Sequence, residues 1–287
     1  MPPTFLQIIL LGLIQGAAEL LPVSSSAHVI VAEKLMRLDP SSPEMTFMLV
    51  MLHTGTMLAV IAYFWRAWQE SFFSSRAQFV EAAKNVVVAS FCTGIVYLAL
   101  KLFIEKVVLH GSGNAEVEDL FSSLPLLAGA LFAAGVLILW SAFATNKQPG
   151  SADITLSSSV WIGLVQGICV PFRGFSRSGS TISVGMLAGV GRRRAEVFSF
   201  ALAVVLTPAA IAQEFLRLVK SRHAQAVPAP LVHLLQPGLV GMLASFLAGL
   251  LALAWLSRWL ETGRWQRFGY YCIAAAIVIF VLAENGF

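Results

Sequence analysis

Six stretches of this 287-residue chain are long and apolar enough to cross a lipid bilayer, because a hydrocarbon core of about 30 Å takes roughly 20 helical residues. They lie at 45–64, 85–104, 124–144, 196–216, 234–256 and 268–284. Charged residues make up only 12% of the chain, against about 25% in soluble domains. Inside lipid, backbone N–H and C=O groups have to bond within their own segment. We therefore predict an all-α polytopic membrane protein.

Two further apolar stretches, 4–36 and 159–190, are interrupted by serine-rich polar segments. The first interruption contains Pro22 and the second contains Pro171. Proline stops an incoming helix because it lacks an N–H and disfavours helix at the residue before it, and the serines that follow are good N-caps. The pattern predicts two re-entrant helix pairs. Their non-helical backbone has to be enclosed by protein or face a water-filled cavity.

The two broken stretches contain the same phrase. Residues 12–16 read Gly-Leu-Ile-Gln-Gly, and residues 163–167, which lie 151 positions later, read Gly-Leu-Val-Gln-Gly. We predict that the chain, 1–287, is a single membrane domain built from two repeats, about 4–144 and 159–284. Each repeat would supply one re-entrant pair and three crossings. Because three is odd, the second repeat is expected to be inverted, so that the two breaks meet.

The first break combines a carboxylate, hydroxyls and an imidazole within an apolar background. Residues 19–28 read Glu-Leu-Leu-Pro-Val-Ser-Ser-Ser-Ala-His. Serines 24–26 would lie at a new helix N-terminus, where unpaired N–H groups attract anions. Glu19 could bind a divalent cation or take a proton, and His28 could serve as acid, base or nucleophile. Ionisable groups are costly inside a bilayer, so this cluster predicts a functional site.

The second break supplies positive charge. Residues 171–181 read Pro-Phe-Arg-Gly-Phe-Ser-Arg-Ser-Gly-Ser-Thr, with Arg173 and Arg177 on either side of Gly174. Guanidinium groups bind phosphate oxygens through two parallel hydrogen bonds, and glycine lets the backbone approach a ligand closely. Together, the two breaks predict a receptor for a highly charged phosphate.

These motifs resemble those of a known family. Residues 19–28 resemble the Glu-Phe-Leu-Pro-(Val/Ile)-Ser-Ser-(Ser/Thr)-Gly-His signature of the undecaprenyl-diphosphatase family, the bacitracin-resistance phosphatases. Residues 174–181 resemble that family's Pro-Gly-x-Ser-Arg-Ser-Gly-x-Thr signature. The resemblance implies an enzyme that removes one phosphate from undecaprenyl diphosphate at the outer face of the bacterial inner membrane. It also implies a divalent cation, Mg or Ca, and a role in recycling the lipid carrier for peptidoglycan synthesis.

The resemblance also implies site residues. By position it implicates Glu19, Ser25, His28, Ser176 and Arg177. We take Ser25 as the candidate nucleophile, with Glu19 or His28 as its base and Glu19 as the metal ligand. His28 or an activated water stays open as the nucleophile. The candidate substrate-binding residues are Gln15, Ser24, Ser26, Arg173, Gly174, Ser176, Ser178 and Thr181.

The chain departs from the family pattern at three positions. Gln15 stands where the family often has Glu, Ala27 replaces the usual Gly, and Arg173 replaces a common Pro. The loss of an acid and the gain of a base make the local charge two units more positive. Glu19 remains as the carboxylate of this motif.

A second function class stays open, namely a polyprenyl-phosphate transporter or flippase that binds through the same groups without hydrolysis. Inverted repeats with broken helices are usual in transporters. The basic residues are spread over several loops, so no basic face for nucleic acid is expected. A small excess of Lys and Arg in the loops of one face predicts that the site opens to the periplasmic or outer face. Whether the chain forms a homo-oligomer is left open by the sequence.

Overall fold

The computed structural model of the chain describes residues 3–39, 42–108, 123–146, 150, 152–223 and 232–286. Within these ranges the chain forms ten α-helices, and a π-helical turn, Ile104–Val108, extends the fourth. The helices are α1 Phe5–Leu20, α2 Ser25–Leu35, α3 Pro43–Ser71, α4 Arg76–Phe103, α5 Leu124–Asn146, α6 Leu156–Cys169, α7 Arg177–Leu187, α8 Arg192–His223, α9 Val232–Glu261 and α10 Gln266–Glu284.

Five helices are long and apolar enough to cross a membrane. They are Glu44–Ser71 of α3, Arg76–Lys106 of α4 with its extension, Leu124–Asn146, Leu235–Glu261 of α9 and Gln266–Glu284. This confirms the prediction of an all-α, multi-pass membrane protein. The sixth predicted stretch, 196–216, lies within α8, and its crossing stays a prediction.

The helices before the two breaks are short. α1 has 16 residues and α6 has 14, so at a rise of about 1.5 Å per residue they reach only about 24 and 21 Å. Neither length crosses a hydrocarbon core of about 30 Å, as a re-entrant segment requires. The face on which each pair enters, the inversion of the second repeat and the repeat bounds stay predictions.

A serine caps the new helix after each break, as predicted. α2 begins at Ser25, and the Ser24 side chain caps it by accepting from the Ala27 N–H. α7 begins at Arg177, and the Ser176 side chain accepts from the Gly179 N–H. Ser25 and Arg177 therefore hold the same first position after their caps. The prolines and serines that predicted the breaks are thus confirmed in this local role.

The glycines of the repeated phrase lie where two helices pack closely against each other. α1 packs against α9, and α6 packs against α4. A Cβ added to Gly16 would lie 2.4 Å from the Ser245 carbonyl oxygen, and one added to Gly163 would lie 2.3 Å from that of Ala89. Small residues spaced by four allow helix backbones to approach in this way. The phrase therefore places each short helix against a long one.

The two helices that follow the breaks, α2 and α7, have different neighbours. α2 packs against α1 and α5, while α7 packs against α5, α6 and α8. Next to α7, the Phe200 ring of α8 stacks on the Phe64 ring of α3 with centroids 5.1 Å apart. Both phenylalanines are fully buried. The Phe200 ring of this pair contacts Arg177, in the first turn of α7.

We expect Gly16→Ala to lower the free energy of unfolding by about 1–3 kcal/mol, the usual cost of forcing extra atoms into a packed interior. The added methyl group would lie 2.4 Å from the Ser245 carbonyl oxygen, which belongs to a helix backbone and cannot rotate away. Gly129→Ala is the matched control, because an added Cβ there meets no described atom within 4 Å. Thermal unfolding of the two variants in detergent measures the difference. Equal melting temperatures would contradict the close-packing role of Gly16.

Candidate active site

The two breaks lie against each other. The Ser178 hydroxyl at the start of α7 donates to the Leu21 carbonyl oxygen in the first break, at 3.3 Å. A Cβ added to Gly179 would lie 3.2 Å from the Cβ of Pro22. Ser178 was predicted to bind substrate, but its hydroxyl here joins the two breaks. The site is therefore built from residues about 150 positions apart in the chain.

The carbonyl groups of the first break are satisfied by side chains from three helices. Leu21 accepts from Ser178 at 3.3 Å, Pro22 from the Cys272 thiol at 3.2 Å, and Ser24 from His28 Nδ1 at 2.8 Å. Non-helical backbone inside a membrane protein needs such partners, because an unpaired buried carbonyl is costly. α2, α7 and α10 thus hold the break in one conformation.

Glu19 is the centre of the site. Its Oε2 accepts from the Ser25 hydroxyl at 2.5 Å and from Gln15 Nε2 at 3.3 Å. Its Oε1 pairs with Arg177 Nη2 at 3.4 Å. Four residues predicted from the two breaks are therefore brought together. A carboxylate this close to a hydroxyl is placed to take its proton, which is the geometry of an activated nucleophile.

Arg177 has a hydrogen-bonding capacity that the protein does not use. Its Nη1 is buried and has no hydrogen-bond partner among the described residues. The guanidinium carbon lies 5.8 Å from the centroid of the Phe200 ring, so the cation rests on an aromatic face. A buried donor without a partner costs about 1–3 kcal/mol, more when it is charged. An anionic ligand at this place would satisfy Nη1.

His28 is directed away from Ser25. Its Nδ1 bonds to the Ser24 carbonyl at 2.8 Å, and its Nε2 bonds to the Tyr271 hydroxyl at 2.7 Å. A carbonyl only accepts, so Nδ1 carries the proton, and in the neutral ring Nε2 accepts from Tyr271. Of the two bases left open for Ser25, the contacts therefore favour Glu19.

Several predicted substrate-binding groups are engaged within the protein. The Ser24 and Ser176 side chains cap α2 and α7. The Thr181 hydroxyl is buried and bonds to the Arg177 carbonyl at 2.8 Å and to Ser199 at 2.6 Å. Their role in binding substrate stays a prediction, and their observed role is to hold the two breaks.

Gly174 and Ser26 differ in their surroundings. Gly174 has a φ of +106°, which favours glycine, and a Cβ there would lie 2.5 Å from the Leu127 carbonyl oxygen. That position therefore requires glycine for packing on α5. Ser26 is partly exposed at the first turn of α2. Binding of substrate by either residue stays a prediction.

Sequence reasoning missed a second acid at the site. Glu33, near the end of α2, is only 4% exposed, and the positive charge of Arg173 acts on its carboxylate. Its Oε1 has no hydrogen-bond partner in the part of the chain that the structure describes. Arg177 is thus paired with Glu19 of the first broken stretch, and the charge of Arg173 acts on Glu33 of the same stretch. An acid within an apolar stretch was the available signal. Residues 198–200, Phe-Ser-Phe, resemble a segment of the undecaprenyl-diphosphatase family, whereas Tyr271 carried no signal.

The described residues of the site do not by themselves supply the full ligand set of a divalent cation. Among the described residues, no group of three or more His, Cys, Asp or Glu side chains could hold a metal ion. Glu19 is the one carboxylate bonded to Ser25 and Arg177. Mg²⁺ is commonly bound by one or two carboxylates plus substrate phosphates. Glu19 with the oxygens of a diphosphate matches that donor set.

Comparison with known proteins agrees with this geometry. The family model described as Bacitracin resistance protein BacA matches residues 8–278. The chain belongs to the BacA family. The match includes both breaks and eight of the ten helices in full, so the BacA family pattern covers the whole candidate site.

Curated relatives of this BacA family member share its full length. Undecaprenyl-diphosphatase 2 of Acinetobacter baylyi is 54% identical over 280 residues, which cover 97% of this chain and 98% of the relative. Undecaprenyl-diphosphatase of Korarchaeum cryptofilum is 32% identical, with 96% and 98% covered. Undecaprenyl-diphosphatase of Bdellovibrio bacteriovorus is 30% identical, with 99% and 97% covered.

Proposed function

We propose that this chain is an integral membrane phosphatase that hydrolyses undecaprenyl diphosphate to undecaprenyl phosphate and inorganic phosphate. The observation that carries the proposal is the buried Nη1 of Arg177, which has no hydrogen-bond partner in the described part of the chain, beside the bonded pair of Ser25 and Glu19. The Nη1 of Arg177 can donate to an anion, and the Ser25 hydroxyl is bonded to Glu19, which can act as its base. The BacA family and the names of its curated relatives support the same reaction. Its product recycles the lipid carrier for peptidoglycan synthesis.

The site performs this reaction by in-line displacement. The Ser25 hydroxyl oxygen attacks the terminal phosphorus while its proton passes to Glu19 Oε2, 2.5 Å away. The bond from that phosphorus to the bridging oxygen breaks, and undecaprenyl phosphate leaves. Water then attacks the phosphoserine and the bond from Oγ to phosphorus breaks. Glu19 returns its proton to the Ser25 oxygen, and the departing phosphate keeps both protons of the water. Such transfers depend chiefly on positioning and on electrostatic stabilisation.

Arg177 and the two helix starts stabilise the charge of the transferred phosphoryl group. Arg177 Nη1 donates to a phosphoryl oxygen, and the N-termini of α2 and α7 present N–H groups and positive dipole ends. A charge-assisted hydrogen bond of this kind contributes about 1.5–3 kcal/mol. Arg173 adds a second positive charge from the same break.

A divalent cation, Mg²⁺ or Ca²⁺, belongs to this proposal. Glu19 would hold it together with the diphosphate, and the ion would neutralise negative charge on the substrate. We also place the protein in the bacterial inner (plasma) membrane, with the site open to the periplasmic or outer face. The excess of Lys and Arg in the loops predicted for the opposite face supports this orientation.

Phosphate release from a panel of prenyl diphosphates tests the function. We expect the purified protein in detergent to release phosphate from undecaprenyl diphosphate, to lose this activity with a chelator, and to regain it with added Mg²⁺ or Ca²⁺. Phosphate release that persists under chelation would contradict the proposed metal dependence but would still support the phosphatase activity. Tight lipid binding without any release would favour the transporter, which needs no serine bonded to a base.

A further inference from the structure

One face of α10 touches the first break at two consecutive residues. The Tyr271 hydroxyl bonds to His28 Nε2 at 2.7 Å, and the thiol of Cys272 donates to the Pro22 carbonyl at 3.2 Å. Tyr271 lies 243 residues after His28 in the chain. A helix from the far end of the sequence is therefore bonded to both the backbone and a side chain of the segment that carries Ser25.

The bond from Tyr271 continues through His28 to the backbone next to Ser25. His28 Nδ1 donates to the Ser24 carbonyl at 2.8 Å. Ser24 has a φ of +67°, in the left-handed region that residues other than glycine rarely adopt. Such a conformation persists only where its surroundings hold it, and the carbonyl bond to His28 is one such restraint. The next residue is Ser25, whose hydroxyl has to face Glu19.

Tyr271 bonds to the second nitrogen of the His28 ring. Because Nδ1 is committed as a donor to Ser24, the neutral ring keeps its lone pair on Nε2. The Tyr271 hydroxyl donates to that lone pair. The ring is therefore held at both nitrogens, and it cannot rotate without breaking one of the two bonds. The Tyr271 side chain itself is 48% exposed on the outer side of the bundle.

We propose that Tyr271 is a positioning residue for the phosphatase site. Its hydroxyl holds His28, His28 holds the left-handed Ser24, and Ser24 sets the direction of the Ser25 hydroxyl toward Glu19. This inference rests on the proposed function. It assigns a role in turnover to a residue of α10 that does not touch the reacting groups.

Tyr271→Phe removes only the hydroxyl, so it tests the proposal with the ring kept in place. We expect kcat for undecaprenyl diphosphate to fall about 10–100-fold, by analogy with the loss when the hydrogen-bond partner of a metal-binding histidine is removed. KM and the melting temperature should stay close to those of the wild type, because Phe fills the same volume. Tyr270→Phe is the matched control, since Tyr270 is 55% exposed and bonds neither to His28 nor to the first break. It should keep wild-type kcat.

Nitrogen NMR of histidine-labelled protein gives a readout that does not depend on activity. The wild type should show His28 with its proton on Nδ1 and a hydrogen-bonded Nε2, and His28→Gln identifies the signal. Tyr271→Phe should shift the Nε2 resonance toward that of a free lone pair, while Tyr270→Phe should not.

The outcomes separate this inference from the function on which it rests. An active wild type with an equally active Tyr271→Phe overturns the inference and leaves the phosphatase. A lower melting temperature with unchanged kcat per folded molecule also overturns it, because the role would then be structural. A wild type that releases no phosphate removes the proposed function, whatever the NMR spectra show.

Discussion

Purified Arg177→Ala should release phosphate from undecaprenyl diphosphate at least about 10³-fold more slowly than the wild type, the lower end of the effect of removing an arginine that stabilises a transferred phosphoryl group. The reason is specific to this guanidinium. Its Nη2 faces Glu19 at 3.4 Å, and its buried Nη1 has no hydrogen-bond partner among the residues that the structure describes, so Nη1 can donate to an anion. Steady-state phosphate release in detergent, with the melting temperature recorded, measures the loss.

Two further variants make the Arg177 result specific. Arg177→Lys keeps a positive charge but loses the planar fork, so it should recover only part of the lost rate. Arg194→Ala removes another arginine, one that is exposed and paired with Asp153 at 2.8 Å outside the site, and it should keep wild-type turnover. A folded Arg177→Ala protein with wild-type turnover would show that the phosphate binds elsewhere.

The helices and breaks could be predicted because lipid imposes strong local constraints. Long apolar stretches have to be helical, and five of the predicted spans are confirmed. Proline alone did not locate the breaks. Pro208 and Pro237 lie inside α8 and α9, whereas Pro22 and Pro171 are followed by serines that cap a new helix. A proline that ends one helix, followed by serines that cap the next, is therefore the pattern that predicts a break.

The residues of the site could be predicted, but their partners could not. Glu19, Ser25 and Arg177 were named from their motifs, and the structure brings them together. The sequence left Glu19 and His28 as equal candidates for the base. The structure favours Glu19, because its Oε2 lies 2.5 Å from the Ser25 hydroxyl while His28 is bonded to the Ser24 carbonyl and to Tyr271. Tyr271 lies 243 residues from His28 in the chain and belongs to no motif. A single distant side chain leaves no pattern in one sequence, so only the folded geometry shows it.

Glu19→Gln should lower kcat by about 10²–10⁴-fold, the usual contribution of a positioned general base. The amide keeps the size of the side chain and can still accept from Ser25, so the fold should be preserved. It cannot take the proton of the hydroxyl that lies 2.5 Å away. Single-turnover phosphate release on the purified protein measures the chemical step, and Ser25→Ala should show a comparable loss.

The metal concentration separates the two roles proposed for Glu19. If Glu19 acted only as a ligand, excess Mg²⁺ or Ca²⁺ would restore the rate of Glu19→Gln by mass action. Because it is also the base for Ser25, we expect the rate to stay low at saturating metal. Glu105→Gln is the control, since Glu105 is an exposed acid paired with Lys101 at 3.7 Å, and it should behave as the wild type. Full recovery of Glu19→Gln at high metal would mean that another group, with His28 the first candidate, takes the proton from the nucleophile.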